Sequence, residues 1–130
     1  MKYFINCFKQ YAITDGRARR REFWILAIVM TVLLAITHFI DGKTGYTIGN
    51  SGAGYLSLAV FAVFFLPALS VTIRRLHDIG RSGWWLLAGV IPIIGWLILF
   101  IFICLDGQYG ENRFGEDPKS RAADNQLKVV

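Results

Sequence analysis

The stretch RRLHDIGRSGWW, residues 74–85, places Arg74, Arg75, His77, Asp78 and Arg81 inside ten residues, between two long apolar runs. Two kinds of chemistry fit those side chains. Guanidinium forks match phosphate oxygens in pairs, so the arginines suit an anionic ligand. An imidazole beside a carboxylate suits proton transfer, provided a second acid or a nucleophile stands near. The stretch GRARRREFW, residues 16–24, adds Arg17, Arg20 and Arg21 to the first idea and Glu22 to the second. His77 and Asp78 are chain neighbours, and on a helix such neighbours do not face each other. Asp78 is instead expected to pair with Arg74, four residues earlier, or Arg81, three later. A structural polar network is therefore preferred over a catalytic pair, and no catalytic residue is assigned. For the arginines, a solvated basic collar is preferred over an anion pocket. There is no Cys or His cluster for zinc and no phosphate-binding glycine loop. DGQYGENRFGED, residues 106–117, is rich in Gly and acid but lacks calcium-loop spacing. No metal or cofactor is expected.

The elements that hold these residues read as membrane helices. The chain has 130 residues, 55% of them hydrophobic and 18% charged. The charges lie in short stretches between apolar blocks, because a charge at bilayer depth costs about 2.5–3.5 kcal/mol. Residues 23–40 and 55–73 contain no Asp, Glu, Lys or Arg, and residues 84–105 contain none either. At about 1.5 Å per residue, runs of this length approach the roughly 30 Å hydrocarbon core. Trp24, Trp84 and Trp85 stand at run ends, where interfacial anchors belong. Pro67 predicts a kink in the second run, with Ser70 or Thr72 covering the freed carbonyl. In the third run Gly89, Pro92 and Gly95 recur every third position. They would admit a close neighbour helix or break their own. Phe4, Cys7, Phe8 and Tyr11 fall at helical spacing with lysines opposite, which predicts an amphipathic helix over 1–13 lying in the headgroup layer. Cys7 and Cys104 are expected at different depths, both as free thiols. Residues 119–130 are expected to be a disordered polar tail.

Positive residues set sidedness. With three spans over 23–40, 55–73 and 84–105, an N-terminus on the cytoplasmic side leaves nine Lys and Arg inside and five outside. If the third run instead dips in and returns near Pro92–Gly95, the division becomes thirteen against one. A re-entrant turn leaves backbone groups that need protein or water around them, and two full spans give thin cover, so three full spans are preferred. The net charge of +5 flanks apolar spans, so anionic headgroups are the expected partner and nucleic acid is not.

GRARRREFW before the first run, RRLHDIGRSGWW before the last and GENRFGEDP after it resemble the signature segments of the domain of unknown function 805 family. The resemblance runs to about Pro118 and implies a multi-pass protein of the bacterial inner membrane. It supplies no catalytic residue. The expectation is thus an all-α integral membrane protein: one domain over 1–118, three transmembrane helices and an N-terminal interfacial helix. It is expected to act as a non-enzymatic binder of anionic lipid or of another membrane protein, with a second copy of itself or another membrane protein as the candidate protein partners. The candidate contacts are Arg17, Arg20, Arg21, Arg74, Arg75, His77, Asp78 and Arg81. The alternatives are a component of an oligomeric transporter or channel, and a headgroup enzyme using His77, Asp78 and Glu22.

Overall fold

In a computed structural model of the chain, residues 14–49 and 53–120 are described. The expected interfacial helix over 1–13 and most of the polar tail lie outside them. The described residues are helical, with isolated bridges at Thr47–Gly54 and Asn112–Gly115 and no strand. Helix α1 spans Arg20–Thr44 and helix α2 spans Tyr55–Asp78. A 3₁₀ helix spans Gly83–Val90, and helix α3 spans Ile94–Cys104. Among the described residues only α1 and α2 are long and apolar enough to cross a membrane.

Helix α1 is free of proline and rich in Leu, Ile and Ala. It ends where Gly45 turns left-handed (φ 72°) and its N–H reaches Asp41 O. Asp41 has a second task. Helix α2 begins at Gly54, which has no side chain to cap it, and the Asp41 carboxylate substitutes across the loop. It accepts from Leu56 N (3.3 Å), Ser57 N (2.9 Å) and Ser57 Oγ (2.8 Å). A carboxylate there satisfies orphan amides and meets the positive end of the helix dipole. Gly54 must lack a Cβ, because one would overlap the Asp41 carboxyl group. The two helices pack through Leu26, Phe64 and Val71, with Ala18 below, flanked by Phe23, Met30, Val60 and Ala68. Pro67 is buried inside α2, which stays α-helical through it, and Thr72 Oγ1 donates to Ala68 O (2.6 Å).

Exposure is inverted relative to a water-soluble fold. Among the described residues six hydrophobic side chains are buried, against seven polar or charged ones. Ile28, Val32, Ile36, Phe39, Leu58, Phe61 and Phe65 are exposed along α1 and α2. Bare apolar helix faces, with the buried charges gathered at the helix ends, are what a hydrocarbon solvent selects.

Residues 84–105, expected as a third full span, form a hairpin. The 3₁₀ leg starts at Ser82, whose Oγ accepts Trp84 N. The chain reverses over Ile91–Ile93 and returns as α3. Ile94 N donates to Pro92 O (2.8 Å) and Ile93 has φ 66° and ψ −67°, a γ-turn of the strained hand. Gly95 lets Ala88 O come against its backbone, and Trp96 Nε1 donates to Gly89 O (2.8 Å). The small residues therefore admit a neighbour, and it is the preceding leg of the same run. Eight residues at about 2.0 Å and eleven at about 1.5 Å make each leg roughly 16 Å, half the hydrocarbon thickness. Both ends of the hairpin lie at the C-terminal end of α2, because Arg75 Nε donates to Ile103 O (3.3 Å) and Gln108 N donates to Asp78 O (2.9 Å). Apolar composition alone does not distinguish a span from two half-length legs; the turn residues and the polar anchors decide it.

Candidate functional site

Three chain segments meet at the polar end: residues 14–22, the last turn of α2, and residues 105–118. Asp78 is the hub. Its Oδ1 accepts Arg17 Nε at 2.9 Å and its Oδ2 accepts Arg75 Nη1. Arg17 continues to Gly110 O (2.5 Å) and to Gln108 O. Arg75 continues to Leu105 O. Arg74 Nη2 meets Glu22 Oε2 at 3.4 Å, and Arg74 O accepts Ala18 N at 3.1 Å. Arg19 Nε donates to Pro118 O at 2.9 Å. Arg17, Arg74, Arg75 and Asp78 are all buried, Arg75 completely.

Electrostatics explains why this assembly tolerates burial. A buried charge is costly unless it is paired and its remaining protons are bonded. Here each arginine divides its fork between a carboxylate and main-chain carbonyls. Those carbonyls include ones left orphaned at the ends of α2 and α3. Gly107 lies directly against the Asp78 carboxylate, where a Cβ would overlap it. Among the described residues no buried side-chain nitrogen or oxygen lacks a partner.

His77 stands at the edge of this knot. Its Nδ1 is 3.3 Å from Gly16 O, and its ring stacks on Phe114 at 3.9 Å with 2° between planes. Arg113 covers the other ring, 4.7 Å from the Phe114 centroid, and its Nη2 donates to Gly80 O at 3.1 Å. Asn112 Nδ2 donates to His77 O at 3.0 Å.

Arg17, Arg74, Arg75 and Asp78 of the expected contact set converge. They converge on one another and on the backbone, so their forks are engaged and they do not form a solvated collar. Asp78 pairs with Arg75 and Arg17, which corrects the expected pairing with Arg74 or Arg81. Arg81 is exposed and lies 5.4 Å over both Trp85 and Phe102. His77, Asp78 and Glu22 each have separate hydrogen-bond partners. Trp24 packs edge-on against Phe100 and Trp85 against Phe102, whereas Trp84 is 78% exposed. Asp41, Arg19, Asn112 and Phe114 escaped the sequence reading. The glycines at 107, 110 and 115 were the available signal for the tail: a Cβ at 107 would meet Asp78, and 110 and 115 have positive φ (74° and 124°).

Beside the knot a cleft of about 390 Å³ opens, lined by Arg19, Arg20, Arg21, Lys119, Asp106 and Asp117, with Asp78 at its inner wall. Arg20 reaches Leu105 O (2.9 Å) and Asp106 (3.3 Å), and Lys119 is 3.8 Å from Asp106. Asp117 is spent on main-chain amides, accepting Lys119 N at 2.8 Å and Gly110 N at 3.4 Å. Arg21 is exposed and makes no hydrogen bond or ion pair among the described residues. No group of three or more His, Cys, Asp or Glu among them is arranged to hold a metal.

The family described as "Protein of unknown function (DUF805)" matches residues 11–116. The inner membrane protein YhaI of Escherichia coli (strain K12) is 40% identical over 119 residues, covering 92% of this chain and 97% of its own. The inner membrane protein YhaH of the same strain is 41% identical, covering 92% and 98%. The uncharacterized protein YiiR of that strain is 30% identical, covering 78% and 83%. No solved structure matches.

Proposed function

Since the chain belongs to the DUF805 family of proteins of unknown function, and its relatives YhaI and YhaH are inner membrane proteins, we propose that it is an inner-membrane protein that binds anionic lipid headgroups. In this reading α1 and α2 cross the bilayer, and the hairpin enters one leaflet from the cytoplasmic side and returns. With that arrangement thirteen of the fourteen Lys and Arg fall on one side and Lys43 alone on the other. Such a bias favours a cytoplasmic N-terminus and a cytoplasmic tail.

One observation carries the lipid reading: Arg20, Arg21 and Lys119 border an open cleft whose Asp78 wall is already neutralised from behind by Arg17 and Arg75. Two of its three carboxylates are engaged by other groups, and among the described residues the Arg21 fork has no partner. A basic pocket at the border of the hydrocarbon suits a lipid phosphate. The binding residues are thus Arg20, Arg21 and Lys119, in place of the buried Arg17, Arg74 and Arg75.

The test is lipid retention by native mass spectrometry on protein purified in mild detergent. At about 1 kcal/mol per cation near a charged surface, Arg21→Ala with Lys119→Ala is expected to weaken phosphatidylglycerol retention roughly thirtyfold. Phosphatidylethanolamine retention is expected to stay as it was. Undiminished phosphatidylglycerol retention by the double variant refutes the site.

A further inference from the structure

A second cavity, of about 400 Å³, lies between α2 and the 3₁₀ leg and shares no lining residue with the basic cleft. Its walls are apolar: Leu69 and Ile73 from α2, Leu86 and Leu87 from the leg. Its polar lining is His77, Ser82 and Thr14. A volume of this size is within the ordinary range for small-molecule sites, about 300–1,000 Å³.

The imidazole is oriented into this cavity by the contacts that surround it. Stacking on Phe114 fixes the ring plane. The Gly16 carbonyl beside Nδ1 can only accept, so Nδ1 carries the proton. In the neutral ring Nε2 is then an acceptor. It faces Gly83, 3.7 Å from where a Cβ would stand, and makes no hydrogen bond among the described residues. Ser82 Oγ accepts Trp84 N, which leaves its own proton to donate. An acceptor and a donor thus line the same apolar slot, the acceptor next to Gly83, which follows Ser82 in the chain.

We propose that this slot binds a neutral amphiphile, an apolar chain ending in a hydroxyl. The hydroxyl donates to His77 Nε2 and accepts from Ser82, and the chain lies along Leu69, Ile73, Leu86 and Leu87. A ketone or ester head has no proton for Nε2, and a phosphate head would oppose its lone pair. That donor requirement separates this ligand from the anionic lipid of the basic cleft. Diacylglycerols and isoprenoid alcohols both have the required chemistry.

The experiment uses the full chain in lipid-free detergent, with four probes: dioleoylglycerol, its acetate ester, a C55 isoprenoid alcohol and its acetate. Native mass spectrometry is expected to show at least one alcohol retained about fivefold or more over its acetate, the value of one hydrogen bond. The better-retained alcohol identifies the source. His77→Phe keeps a ring to stack on Phe114 but removes the acceptor, and is expected to abolish the preference while phosphatidylglycerol retention persists. Leu87→Trp, at a wall position 59% exposed, is expected to lower alcohol retention without touching the knot. Equal retention of alcohols and acetates, or an intact preference in His77→Phe, overturns the proposal. If His77→Phe does not fold, undiminished alcohol retention by Leu87→Trp overturns it instead.

Discussion

Replacing Asp78 by alanine removes the carboxylate that two buried guanidiniums share. Arg75 has no exposed surface and Arg17 is 7% exposed, so neither can turn to water without dismantling the polar end. Breaking a buried pair by deleting one partner costs about 3–5 kcal/mol. Arg17 retains Gly110 O and Gln108 O, and Arg75 retains Ile103 O and Leu105 O. The lower end of that range therefore applies. About 3 kcal/mol lowers the ratio of folded to unfolded protein by roughly 150-fold, a large share of an ordinary stability of about 5–15 kcal/mol. The assay is reversible unfolding in mixed micelles, with limited proteolysis of residues 106–118 as the local readout. Asp106→Ala is the control. Its pair with Arg20 has 39% and 66% exposed side chains, and exposed pairs contribute under about 1 kcal/mol. Were Asp78→Ala no more damaging than Asp106→Ala, the knot would not be what closes the tail onto α2, and the reasoning would fail.

Further outcomes follow from other contacts. Ile93→Gly is expected to stabilise the protein by about 1 kcal/mol, since glycine adopts φ 66° without strain; a lower melting temperature would count against the γ-turn. Gly107→Ala drives a methyl group into the Asp78 carboxylate and is expected to destabilise strongly, whereas Gly42→Ala, where a Cβ meets nothing within 4 Å, serves as its comparison in the same melt. Asp41→Ala is expected to expose the first amides of α2, read as faster hydrogen exchange at Leu56 and Ser57 than in the wild type. A reporter fused after Val130 is expected to be active only on the side that holds the N-terminus. Activity on the opposite side would restore a third crossing.

Much of this architecture was legible in the residues. The runs 23–40 and 55–73 mark the two long helices, and the structure extends each by polar residues at its ends: Arg20 to Glu22, Asp41 to Thr44, Arg74 to Asp78. The grouping of arginines at one end was legible too, because charge avoids hydrocarbon. Pairing was not. Asp78 has arginines at helical spacing on both sides, and local spacing gives no reason to prefer Arg75. That choice depends on Arg17, 61 positions away, and on a tail whose glycines bring carbonyls into reach. The hairpin was hidden for a related reason. Twenty-two apolar residues are long enough to span, and only the contacts at Gly89, Gly95 and Leu105 reveal that they turn back. The role of Asp41 was invisible because its partner is a helix start that has no capping side chain of its own.

The half-length hairpin gives the molecule a tapered profile. On the two-span reading, both long helices and both short legs cross one monolayer, while the long helices alone cross the other. Lipid must fill the space beyond the Ile93 tip, so insertion displaces unequal areas from the opposing monolayers. The free energy of embedding the protein then varies with the difference in lateral pressure between them, and any process that adds lipid to one side alone shifts the protein's equilibrium in the membrane.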